Sequence, residues 1–142
     1  MDVKEFLMQP QKLDIQIRNK LIERKQLRDI ALGISANIDG DRVNASGSKS
    51  RMADAVDKLV DMEAEVDQLV DKYIDIKREV VAVIEAVDNP IQYNVLHMKY
   101  IQGMTLQGIA DYYHKDYEWS KATHRRAIKS VQLIMDKKKS RP

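Results

Sequence analysis

The sequence predicts an all-α protein: a long coiled-coil-like helix with an N-terminal helix before it and a small helix-turn-helix domain after it. Three observations carry that expectation. Apolar residues recur at steps of three and four over most of the chain. Proline stands only at positions 10, 90 and 142, so helices can run long between them. With one Phe and one Trp among 142 residues, the apolar content rests on Val, Ile, Leu, Met and Ala, which suits a thin helical core.

The N-terminal helix is assigned to residues 1–32. Its periodic part runs from Lys12 to Ala31, with Leu13, Ile17, Leu21, Leu27 and Ile30 or Ala31 on one stripe. Residues 33–50, GISANIDGDRVNASGSKS, hold three glycines, four serines and two asparagines and predict a flexible, exposed loop. Such turns can offer backbone amides to a phosphate, but no GKS or GKT follows a strand here, so that reading is set aside.

Residues 51–89 predict the long helix. Met52, Val56, Leu59, Met62, Val66, Leu69 or Val70, Tyr73, Ile76, Val80, Val83 or Ile84, and Val87 follow one another at the spacing of a coiled-coil seam. At ~1.5 Å per residue the rod would measure roughly 57 Å. Its stripe exceeds what a helix over 12–31 can cover, so a homodimer through this element is expected. Asp57, Asp61 and Glu65, and again Asp67, Asp71 and Asp75, sit four apart on one face. Carboxylate-bridged metal sites in bundles also need Glu-x-x-His motifs, and no His precedes position 97, so a solvated acidic face is the reading and no metal is expected.

Asp88 is placed to cap the next helix, and Asn89-Pro90 breaks the rod. The charge changes sign at the same point. Residues 1–89 hold 14 Lys or Arg against 18 Asp or Glu, and residues 90–142 hold 10 against 4. A small basic segment is the footprint expected for a polyanion such as nucleic acid.

The basic module occupies residues 90–136, followed by a basic tail at 137–142. Ile91, Val95, Leu96 and Tyr100 predict a short amphipathic helix, and Gly103 a permissive turn. Thr105 is the expected cap for a helix near 106–114 carrying Leu106, Ile109, Ala110 and Tyr113. The break HKDY follows, with Asp116 as cap of a helix from about 117. In a helix-turn-helix the start of that second helix enters the major groove. Tyr117, Glu118, Lys121, Ala122 and Arg125 are therefore the expected base-facing residues, with Arg and Lys suited to guanine and Glu118 to a cytosine amino group. Lys115, Thr123, Arg126 and Lys129 are expected at phosphates, with His124 beside them.

The absence of cysteine excludes disulfides, thiol chemistry and thiolate zinc sites, and it fits a cytoplasmic protein. MDVKEFLMQPQKL has neither a basic start nor an apolar core, so no signal peptide is expected. No run approaches 18 apolar residues, so no membrane span is expected. His97, His114 and His124 are scattered without acidic or thiol partners. No catalytic, cofactor or small-molecule site is expected.

Leu96-x-x-x-Tyr100-Ile101-x-Gly103-x-Thr105-x-x-x-Ile109-Ala110, with Ala127 eighteen residues beyond Ile109, resembles region 4 of bacterial sigma-70 factors, the helix-turn-helix that reads the −35 element. The chain over residues 12–135 resembles more closely a family of small phage and prophage proteins labelled as transcriptional regulators. Their last domain is similar to that of late-gene activators of the ArpU and RinA kind. The resemblance implies double-stranded DNA as ligand, host RNA polymerase as partner and the cytoplasm of a bacterial host as location. Two positions depart from the sigma pattern: His114 stands at the turn position usually held by Gly, and Ser120 where an apolar residue usually points inward. Trp119 is the expected replacement for that packing. The competing reading is a coiled-coil assembly or DNA-packaging adaptor that uses the helix-turn-helix for protein contact or non-specific DNA handling.

Overall fold

The computed structural model describes residues 1–40 and 45–140, with side chains over 1–33 and 50–140. Five helices make up the fold: α1 (Val3–Gly40), α2 (Ala45–Glu85), α3 (Pro90–Tyr100), α4 (Leu106–Tyr112) and α5 (Tyr117–Lys139). There is no strand among the described residues. The chain divides into two compact units, Met1–Leu13 with Tyr73–Pro142, and Asp14–Lys72.

Helix occupies most of the Gly/Ser-rich stretch expected as a loop, since α1 continues to Gly40 and α2 starts at Ala45. Residues 41–44 of that stretch lie outside the described residues. Once many turns are in place, each further residue adds a hydrogen bond, and this outweighs roughly 1 kcal/mol per glycine.

The unit Asp14–Lys72 is an antiparallel helix pair. Gln16 and Glu23 of α1 share a cleft with Glu65 and Lys72 of α2, and Glu23 and Ile30 share the next with Lys58 and Glu65. Lys20 bridges the helices, its Nζ 3.0 Å from Glu65. The seam in α1 runs Ile17, Lys20, Arg24, Leu27, Ala31, and in α2 Met52, Ala55, Leu59, Met62, Val66, Leu69. Leu21 and Val56, expected on the stripe, are exposed instead, and of Ile30 or Ala31 it is Ala31 that is buried. A strict alternation of three and four sets the seam, and the aliphatic stems of Lys20 and Arg24 lie along it. With 38 residues, α1 nearly matches the 41 of α2, so the stripe of α2 has a partner within the chain. The first helix is therefore longer than the 12–31 stretch on which the expected homodimer rested.

The other unit is built around a core of Val3 and Leu7 from α1, Val80, Val83 and Ile84 from α2, Val87, Leu96 and Tyr100 from α3 or just before it, and Ala127 and Val131 from α5. A second cluster joins Val95 and Met98 of α3 to Ile109 of α4. Helix α1 therefore begins well before Lys12. Asp2 accepts the Glu5 N–H at 2.8 Å to start it, and Pro10 lies inside it. An interior proline forfeits one helical hydrogen bond and costs about 3 kcal/mol. Burial of Val3, Leu7 and Pro10 opposes that cost.

The break after α2 falls where the composition changes, but it separates elements and not units. Asn89 rather than Asp88 caps α3, its side chain accepting from the N–H groups of Ile91 and Gln92 at 3.0 Å each. Asp88 stands one residue too early, because Pro90 takes the first helical position.

Candidate functional site

The basic residues of the C-terminal third are positioned by α4, a four-residue turn and α5. Gly103, at φ +78°, turns the chain out of α3. Thr105 then caps α4, its Oγ1 accepting the Gly108 N–H at 3.0 Å. Helix α4 ends in a Schellman arrangement: the Lys115 N–H donates to Ala110 O at 2.9 Å and the His114 N–H to Asp111 O at 3.2 Å. That geometry puts His114 in the left-handed region, at φ +56°. A glycine would hold this position without steric cost, whereas His114 holds it at a cost. Asp116 caps α5 by accepting the Trp119 N–H at 2.8 Å.

Three side-chain contacts fix the rotation of α5. Ser120 is fully buried, and its hydroxyl donates to Leu106 O at 2.7 Å. The serine itself thus makes the inward contact expected of Trp119, by hydrogen bond in place of apolar bulk. Trp119 is half-buried with its ring 5.2 Å from that of Tyr113, and Tyr113 Oη accepts from Asn94 at 2.7 Å. Ser130 donates to Gln92 Oε1 at 2.6 Å, tying α5 to α3. Ala110 and Ala127 are buried completely, as close helix crossings require.

Of the expected base-facing residues, Tyr117, Glu118, Lys121 and Arg125 are exposed and Ala122 is half-buried. Lys115, Arg126 and Lys129 are exposed as well. Lys121, Arg125 and Lys129 follow one another at steps of four and make one row on α5. None of these five cations makes an ion pair among the described residues. Tyr117 also lines a shallow cleft of about 460 Å³ with Lys99 and Gln107.

Two expectations change. Thr123 is only 5% exposed and faces the core, so it presents no hydroxyl to a phosphate. His124 is buried beside Tyr100, its Nε2 2.7 Å from the phenol oxygen. Burial, then the charges of Lys99 and Lys4, holds its pKa down at about 4. Both residues fall on the inward arc fixed by Ser120, Ala127 and Val131. Tyr112, a residue outside the expected site, is 61% exposed at the end of α4. Its place off the Ile109–Tyr113 stripe was the available signal.

Lys137, Lys138 and Lys139 form the last turn of α5, where cations stabilise the helix dipole whatever else they touch. Among the described residues no three metal-ligating side chains cluster, and no helix is long and apolar enough to cross a membrane. No curated protein and no solved structure matches the chain. The family model described as protein of unknown function (DUF1492) matches residues 33–136, most of the sequence, and the chain belongs to that family.

Proposed function

We propose that this protein is a sequence-specific DNA-binding regulator of transcription, of the phage type, that acts at promoters beside host RNA polymerase and catalyses no reaction. In this reading α4 and α5 are a sigma region 4-like helix-turn-helix, and α1 with α2 is a coiled-coil arm. The observation that carries it is the row Lys121, Arg125, Lys129 along the exposed side of α5, which makes no ion pair among the described residues.

The row is ~12 Å long at 1.5 Å per residue, about the width of the major groove. Arg125 stands at its middle, where a side chain meets base edges and a bidentate contact to guanine is available. Glu118 would be repelled by phosphates, so its place on the same face favours a base amino group as its partner. Lys115 and Arg126 flank the row and, with Lys129 at its end, suit the backbone.

The test is selection of bound sequences from a random duplex library by the full chain at physiological salt. Enrichment of one motif is the expected result. Binding that falls steeply with salt and enriches nothing would overturn sequence-specific regulation and favour the adaptor reading.

A further inference from the structure

We infer that the Asp14–Lys72 unit is a dimerisation arm whose partner is a second copy of the same chain, packed α1 against α2 across a two-fold axis parallel to the helices. The unit is too thin to be complete alone. Its described buried apolar residues are Ala31, Ala55 and Val66, two alanines and a valine. Two helices meeting along a single seam bury little, and bundles of stable size add a second layer.

The face that would receive this layer can be assigned. The clefts between α1 and α2 are lined by Gln16, Glu23 and Ile30 with Lys58, Glu65 and Lys72, which mark one side of the pair. The opposite side follows from helical periodicity. It carries Leu21, Lys25, Arg28 and Leu32 on α1, and Val56, Val60, Glu63 and Asp67 on α2. Leu32 is 63% and Val60 60% exposed.

Charge selects the occupant and its orientation. On this face α1 is basic through Lys25 and Arg28, and α2 is acidic through Glu63 and Asp67. None of the four makes an ion pair within the chain among the described residues. A two-fold axis along the helices lays the basic α1 of one copy over the acidic α2 of the other. An axis across the helices would set like charges together. The face is therefore complementary to itself in one arrangement, as an isologous interface must be. Lys25 of each copy then lies level with Glu63 of its partner, and Leu32 with Val56. This inference is independent of the proposed DNA binding.

Sedimentation of the full chain at tens of micromolar tests it. The expected species has twice the 16.4 kDa chain mass. Val60→Glu should be monomeric, while fluorescence of Trp119, the sole tryptophan and outside this unit, stays unchanged. Lys25→Glu and Glu63→Lys should each weaken self-association at least tenfold, and mixing the two variants should restore it, because each pairing in the mixed dimer is again between opposite charges. A monomeric wild type would overturn the proposal. So would a dimer that survives Val60→Glu, or charge variants whose mixture is no tighter than either alone.

Discussion

Tyr100 and His124 share a buried hydrogen bond 2.7 Å long between α3 and α5. With the imidazole neutral and its proton on Nδ1, the Tyr100 hydroxyl donates to Nε2, and neither polar group is left unsatisfied. Burial raises the Tyr100 pKa to about 12, with Asp2 adding to it. Protonating His124 would set a cation in the core beside Lys99 and Lys4.

A pH dependence results. The His124 pKa is depressed on folding from 6.5 to about 4. The unfolded chain therefore binds the proton more readily between those values, and stability should rise with pH across that window. The contribution is complete above 6.5 and is lost as pH falls towards 4, on the order of 3 kcal/mol. Urea unfolding from pH 4 to 7 should show this slope, and His124→Phe should flatten it. NMR titration of the imidazole with a midpoint near 6.5 would refute the assignment.

His114→Gly should stabilise the protein. The left-handed conformation costs a non-glycine residue roughly 1–2 kcal/mol, and the greater freedom of glycine in the unfolded chain returns part of that. A net gain of about 0.5–1 kcal/mol is expected, measured as a higher urea midpoint at unchanged slope. His114→Val, β-branched at the same φ, should move the midpoint the other way.

Ser120→Ala removes the hydroxyl that donates to Leu106 O and ties α5 to α4. Loss of a buried hydrogen bond should lower stability by about 1–3 kcal/mol. Ser120→Leu, which restores the apolar residue usual at this position, should destabilise by a similar amount through overpacking, because the site is closed. Thermal unfolding of both variants checks this.

Arg125→Ala should reduce affinity for a selected DNA site by roughly 1–3 kcal/mol and leave random duplex nearly unaffected. Lys129→Ala should weaken both equally and reduce the salt slope by about one. Titrations of each variant against the two duplexes decide the assignment. Equal loss on both for Arg125→Ala would move that residue to the backbone.

Leu7→Ala should cost about 2–5 kcal/mol, as for other fully buried leucines. A neutral outcome in urea unfolding would remove the N-terminal segment from the core.

What the sequence displayed and what it hid differ in kind. Caps and turns are local, and Thr105, Asp116, Gly103 and the odd His114 could all be read from neighbours within four residues. The stripe of α2 was readable because its 3-4 alternation persists for ten steps. The place of Val3 and Leu7 in the core was hidden by Pro10, a breaker in isolation that tertiary burial overrules. Ser120 was misread because its partner, Leu106 O, is fourteen residues away and belongs to the backbone, which leaves no trace in residue type. Residue type offers Thr123 to a phosphate and His124 to a place beside it, although helical spacing also allows Thr123 on the inward face. Only the rotation of α5 turns them inward.

The core that holds α3 against α5 is sewn from distant parts of the sequence, with Met1–Leu13 meeting Tyr73 and beyond across a detour of the 59 residues Asp14–Lys72. During synthesis Val3 and Leu7 leave the ribosome long before Leu96, Tyr100 and Val131 exist, so the nascent chain must hold that greasy first segment in waiting. Closing so wide a gap is entropically uphill until the late contacts form. A fragment cut at Pro90 would discard Val3, Leu7, Val80, Val83, Ile84 and Val87, six of the ten side chains in that core. The basic helix is thus no detachable cassette, because the core it packs on includes residues far from it in sequence.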